Sequence, residues 1–101
     1  MRKYSVYILK CADDSYYTGV TNNLRRRLRE HVNASNEGSY TSERLPVELV
    51  WSENFRDVRV AIRREKQIKR WSRVKKEALI EGRVDDLKML AKKKFVKKKV
   101  V

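Results

Sequence analysis

Cysteine, histidine, proline and glycine are all scarce in this 101-residue chain, and each scarcity excludes something. A single cysteine, Cys11, rules out an internal disulfide and argues against a cysteine-built metal cluster. A single histidine, His31, argues equally against a His-rich zinc site. With three glycines and no Walker-type loop, nucleoside triphosphate binding is not expected. No apolar run approaches the roughly 20 residues of a membrane-spanning helix. Asp13 and Asp14 follow too soon after the N-terminus for a signal-peptide core. These features together predict a soluble, cytoplasmic protein with no membrane partner. Acidic residues are scarce too: 13 stand against 26 lysines and arginines, so the net charge is +13. Such an excess on a short chain points to a polyanionic partner.

The excess is uneven. Residues 1–54 carry a net charge of only +1, whereas residues 55–81 and 82–101 carry +6 each. The length suits one domain. Residues 1–91 are expected to form it, with 92–101 as a basic, flexible tail. Tyr4–Cys11 reads as a strand with apolar residues on both faces, Val6 and Ile8 on one side and Tyr7 and Leu9 on the other. Ala12 to Ser15 is turn chemistry, and Tyr16–Val20 is a second strand completing a hairpin. Thr21, Asn22 and Asn23 are capping candidates for a helix that runs to about His31 or Asn33. Leu24, Arg27, Leu28 and His31 recur on one of its faces. Residues 33–45 form a polar loop, and Val47–Trp51 is a third strand in which Val47, Leu49 and Trp51 alternate against Glu48 and Val50. Asp57 can cap a helix with the apolar stripe Val58, Ala61, Ile62 and Ile68. Ser72 can cap another, with Val74, Ala78 and Leu79 as its apolar positions and Gly82 ending it. A short helix is expected over 85–91. The fold class is α+β: a small three-stranded sheet flanked by helices.

Five residues stand out chemically. Glu65 falls on the apolar stripe, at i+3 from Ile62 and i−3 from Ile68. A carboxylate there needs a metal or an ionic partner such as Arg64, Lys69 or an arginine of the first helix. Tyr7 and Tyr17 occupy the two arms of the hairpin, where strand spacing lets their hydroxyls converge. They can orient a water or pass a proton, or simply pack. Arg27 points towards the sheet, and an inward guanidinium suits a phosphate or a carboxylate. His31, one turn on, can relay a proton or satisfy a hydrogen bond in the core. Hydrolysis of a phosphodiester needs an activated nucleophile, a cation at the non-bridging oxygens and help for the leaving group. This inventory can supply each role, with one carboxylate and hence one metal ion.

The arrangement of these residues resembles the GIY-YIG nuclease superfamily. Ser5-Val6-Tyr7 is similar to its first motif and Tyr17-Thr18-Gly19 to its second. An arginine-rich helix with Arg27 and then His31 follows, and Ala61 to Lys69 with Trp71 is similar to the family's metal-binding helix. The resemblance covers residues 4 to about 80. It is nearest to small standalone bacterial members, which are similar to the nuclease domain of the excision-repair endonuclease. It implies a metal-dependent endonuclease acting on nucleic acid, DNA rather than RNA, with DNA repair as its setting. Tyr7 would hold or deprotonate the attacking water, with Tyr17 in support. Arg27 would stabilise the phosphorane and His31 assist proton transfer. Glu65 would be the sole protein ligand to Mg²⁺ or Mn²⁺, and Gly19 would allow close approach. Ser5-Val6 replaces Gly-Ile. The loop residue that many members use is best matched by Tyr40. The asparagine that closes many of their sites has no counterpart after Asn54, leaving that role empty or to Lys69. Arg25, Arg26, Arg63, Lys66, Arg70, Lys92, Lys93 and Lys94 are the expected nucleic-acid contacts. The alternative is a catalytically silent, basic nucleic-acid-binding module.

Overall fold

The structure is a computed structural model that describes residues 3–32 and 44–83. The expected helix over 85–91, the tail with Lys92, Lys93 and Lys94, and Tyr40 lie outside these residues. The described chain runs β1 (Tyr4–Cys11), β2 (Tyr16–Thr21), α1 (Leu24–Val32), β3 (Val47–Phe55), α2 (Val58–Lys69) and α3 (Arg73–Ile80). It divides into two compact units between Lys69 and Arg70. Among the described residues no helix is long and apolar enough to cross a membrane.

In the first unit the sheet order is β2-β1-β3, with β1 antiparallel to both neighbours. The central position explains the two-sided apolar pattern of β1, since a strand paired along both edges and covered on both faces has no polar side to show. Val6, Ile8 and Leu9 are fully buried and Tyr7 is nearly so. The register sorts the side chains into two sets. Ser5, Tyr7 and Leu9 face the same way as Thr21, Gly19 and Tyr17 of β2, while Val6 and Ile8 go with Val20 and Thr18. His31 of α1 meets Tyr7 and Tyr17, which places α1 over the tyrosine-bearing face.

β3 is four residues longer than its apolar alternation foretells. A bulge interrupts its pairing: Ile8 faces Trp51, but Leu9 faces Leu49, leaving Val50 as the extra residue. One inserted residue exchanges the faces on either side of it. Trp51 therefore belongs to the Ile8 set while Leu49 and Val47 belong to the Leu9 set, so the expected common face of these three is broken. Beyond the bulge the period of two continues through Ser52, Glu53, Asn54 and Phe55.

The caps follow the sequence. Asn23 Oδ1 accepts the Arg26 amide at 3.0 Å, and Asp57 Oδ1 accepts the Arg59 amide at 2.8 Å. α2 contacts all three strands, and its buried residues are Ala61, Glu65 and Ile68. Val58 and Ile62, expected on the stripe, are each 38 % exposed. The buried line is the i, i+4, i+7 row through Ala61, a narrower seam than the sequence pattern drew. In the second unit Ser72 caps α3, accepting the Lys75 amide at 3.3 Å. Gly82, at φ 75°, ends the helix with paired bonds from Gly82 to Leu79 and from Arg83 to Ala78. Val74, expected as an apolar contact, is exposed, whereas Ala78 is buried.

Candidate active site

Tyr7 is the centre of the site. It projects from the middle of the central strand, and only 1 % of it is exposed. Its cross-strand partner is Gly19, and the phenol ring lies over that glycine. A Cβ at residue 19 would stand 2.5 Å from the Tyr7 hydroxyl and 2.6 Å from Cζ. Gly19 is thus required by the tyrosine that crosses it, a more specific reason than the close approach expected from sequence.

Tyr17 sits diagonally from Tyr7 across the same strand pair, with ring centroids 6.2 Å apart. His31 closes the triangle, its ring 5.9 Å from Tyr7 and 5.2 Å from Tyr17. The Tyr7 hydroxyl and His31 Nε2 are 3.0 Å apart. Arg27, one turn before His31, ion-pairs with Glu30 at 3.2 Å and keeps about a third of its side chain exposed. The Tyr7 hydroxyl is the largest influence on the Arg27 guanidinium and holds its pKa above the ordinary value, with lesser contributions from Glu30 and Tyr17. Four of the five sequence-expected residues therefore converge at one place.

The electrostatics fix the protonation states. Burial pushes the Tyr7 phenol up to about 12, outweighing the hydrogen bond from Arg27 that lowers it. Burial and then the positive charge of Arg27 push His31 down from its ordinary value, against a smaller opposing pull from Glu30. At neutral pH Tyr7 is a neutral phenol and His31 a neutral imidazole.

Glu65 stands apart from this cluster in its bonding. Its side chain is 12 % exposed, and its ionic partner is Lys69, 2.7 Å away on the next turn. The metal and ion-pair alternatives thus meet in one residue, and Lys69 is placed as the counter-ion. Among the described residues no group of three or more His, Cys, Asp or Glu gathers to hold a metal. A lone hard carboxylate still fits Mg²⁺ or Mn²⁺, which commonly bind through one or two carboxylates with substrate phosphate and water filling the other positions.

The expected nucleic-acid contacts among the described residues, Arg25, Arg26, Arg63, Lys66 and Arg70, are all exposed. Sequence reasoning missed the sheet floor beside Tyr7. Ser5 donates to Asn54 Oδ1 at 2.7 Å, and Ser52 faces Tyr7 itself. The period-two pattern beyond Trp51 was the available signal.

Comparison with known proteins identifies the family of the chain. The model of the GIY-YIG catalytic domain matches residues 3–78. A UPF0213 protein of Staphylococcus haemolyticus is 47 % identical over 83 residues, covering 82 % of this chain and all of the relative. Another, from Natronomonas pharaonis, is 49 % identical over 75 residues, covering 74 % and 87 %. The solution structure of a UPF0213 protein from Bacillus halodurans is similar with a TM-score of 0.53 at 39 % identity, covering 78 % of this chain and 83 % of that one. A solution structure from E. faecalis gives 0.58 at 32 % identity, covering 81 % and 86 %. With the family model spanning the hairpin, the arginine helix and the glutamate helix, and with small UPF0213 proteins as relatives, the chain belongs to the GIY-YIG family of nuclease domains.

Proposed function

We propose that this protein is a metal-dependent endonuclease that hydrolyses phosphodiester bonds in nucleic acid, with DNA preferred to RNA. The observation that carries the reading is the meeting of Tyr7, Tyr17, Arg27 and His31, with the Tyr7 hydroxyl 3.0 Å from His31 Nε2. A packing role alone would not require two phenols, an imidazole and a partly exposed guanidinium to meet at one spot.

Each residue then has a task. With the imidazole proton on Nδ1, His31 Nε2 accepts the hydrogen bond of the Tyr7 hydroxyl. One lone pair of the Tyr7 oxygen takes the Arg27 hydrogen bond, and the other is left to accept a hydrogen bond from the attacking water. As the water oxygen bonds to phosphorus and the bond from phosphorus to the leaving oxygen breaks, the water's proton moves to Tyr7 while the Tyr7 proton moves to His31, which becomes imidazolium; the leaving oxygen takes its proton from solvent. No free phenolate forms, which suits a phenol whose pKa is about 12. Tyr17 orients the water and phosphate from the second strand. Arg27 faces the non-bridging oxygens, where negative charge grows. Glu65 would hold one Mg²⁺ or Mn²⁺, and such an ion supplies charge neutralisation at the leaving oxygen. Lys69, already on Glu65, would balance that carboxylate in the absence of metal. Gly19 keeps the Tyr7 ring in place. Arg25, Arg26, Arg63, Lys66 and Arg70, with Lys92, Lys93 and Lys94 of the tail, would track the phosphate backbone. DNA repair is the setting that the resemblance to the excision nuclease favours.

The test is cleavage of end-labelled DNA and RNA, single-stranded, duplex and branched, with Mg²⁺, with Mn²⁺ and with chelator. Metal-dependent cleavage that Tyr7→Phe abolishes and Arg27→Ala slows by about 10²-fold is the expected result. Tight binding without cleavage under every condition would instead favour the silent binding module.

A further inference from the structure

We infer that Asn54, oriented by Ser5, is a neutral binding residue that holds the nucleic-acid backbone one step away from the phosphate at Tyr7. The identity of the ligand rests on the endonuclease reading above; the geometry does not.

Two rows of side chains cross the tyrosine-bearing face of the sheet. One is Gly19, Tyr7 and Ser52; the other is Thr21, Ser5 and Asn54. Adjacent rows on one face are two strand residues apart, about 7 Å. That is comparable with the step between neighbouring phosphates on an extended strand. In the second row all three side chains are small, neutral and hydrogen-bonding, in a chain of net charge +13.

Within that row the Asn54 amide has a fixed sense. Ser5, only 8 % exposed, donates its hydroxyl to Asn54 Oδ1 at 2.7 Å. The amide oxygen is thereby turned towards β1, and Nδ2 with its two hydrogens is turned away from it. Asn54 and Ser52 are both exposed on β3, so this strip of the face is open beside the buried Tyr7. A structural asparagine on an edge strand would need neither the serine that orients it nor the opening. A phosphate oxygen is the acceptor that matches an outward amide next to a phosphate-handling cluster. A neutral donor there fixes register without the long-range pull of another arginine.

The test exploits the near-identical shapes of Asn and Asp. Asn54→Asp keeps an oxygen for Ser5 but replaces the donor with a charge, while Asn54→Ala removes the donor and adds none; a purely structural role leaves the Asn54→Ala affinity unchanged. Binding of a fluorescein-labelled 20-nucleotide DNA strand is measured by anisotropy in chelator at 0.15 M salt. Under these conditions a charge is screened within about 8 Å. We expect Kd to rise roughly tenfold for Asn54→Ala, as for loss of one hydrogen bond to a charged group, and further for Asn54→Asp, whose carboxylate also repels the phosphate. Ser5→Ala, which frees the amide to rotate, falls between wild type and Asn54→Ala. With metal added, KM rises in the same order while kcat stays within about twofold. Asn54→Ala binding within twofold of wild type, at an unchanged melting temperature, overturns the inference. Loss of kcat with unchanged KM overturns it as well. If the wild type binds DNA but never cleaves it, the endonuclease reading fails and the Kd comparison still decides the role of Asn54. If it does not bind nucleic acid at all, both fail.

Discussion

Alanine at residue 19 is a small change with a calculable consequence. In a strand, exchanging glycine for alanine ordinarily stabilises by roughly 0.5–1 kcal/mol, because glycine loses more freedom on folding. Here the new methyl would lie 2.5 Å from the Tyr7 hydroxyl, 2.6 Å from Cζ and 3.0 Å from Cε1. Ordinary contact begins near 3.4 Å, so the ring must retreat by about 1 Å. It cannot swing freely, since only 1 % of Tyr7 is exposed and its ring is held by the tilted Tyr17 ring and the edge-on His31 ring. Overpacking of this kind costs about 1–3 kcal/mol and outweighs the entropic gain. A 1 Å retreat also lengthens the 3.0 Å contact to His31 beyond hydrogen-bond range. Gly19→Ala should therefore lose about 1–2 kcal/mol of stability in urea titration, and most of its cleavage activity. The decisive measurement is a double-mutant cycle with Tyr7→Leu, which removes the atoms in conflict. In the Tyr7→Leu background Gly19→Ala should become neutral or stabilising. An equal cost in both backgrounds, or no cost in either, would refute the steric argument.

Further expectations concern the same cluster. Absorbance titration should show one tyrosine ionising near pH 12, and Tyr7→Phe should remove it. Because the unfolded phenol ionises near 10 and the folded one at about 12, Tyr7 does not weaken the fold below pH 10; above it, stability should fall by a few kcal/mol, roughly 3 at most, as pH approaches and passes 12. His31 must be unprotonated to accept from Tyr7, and its pKa lies below the ordinary 6.5. Cleavage should thus persist as pH falls through 6.5 and fail only below it; an acidic limb above 6.5 would contradict this. Arg27→Ala should reduce kcat by about 10²-fold, as for one lost transition-state donor, while Arg25→Ala changes mainly salt-dependent affinity; equal effects of the two would sink the inward-facing argument. Glu65→Ala should abolish turnover at saturating Mg²⁺ yet keep binding in chelator. Its melting temperature should barely move, because the partner Lys69 is half exposed and such pairs contribute little.

The sequence by itself determined most of the local structure. Alternating apolar residues and turn chemistry placed β1 and β2 within a residue of their observed limits, and Asn23, Asp57 and Ser72 marked helix starts because capping is a short-range matter. Helical periodicity put Arg27 and His31 on one face, and the hairpin brought Tyr7 and Tyr17 together. Those are consequences of chain geometry within a few residues. Helical periodicity also singled out Glu65 on the apolar stripe, and its metal role rests on the family resemblance. Long-range pairing decided the rest. Only the sheet order made β1 central and explained why both its faces are apolar. Only the register against β1 exposed the bulge at Val50, which moved Trp51 away from the Leu49 face and carried β3 on to Asn54. Burial of Ala61, Glu65 and Ile68 rather than Val58 and Ile62 was likewise set by what α2 meets. The reason for Gly19 lay in a side chain twelve residues earlier. Such facts depend on which strands and helices meet and in what register, and no local pattern of residues encodes that choice.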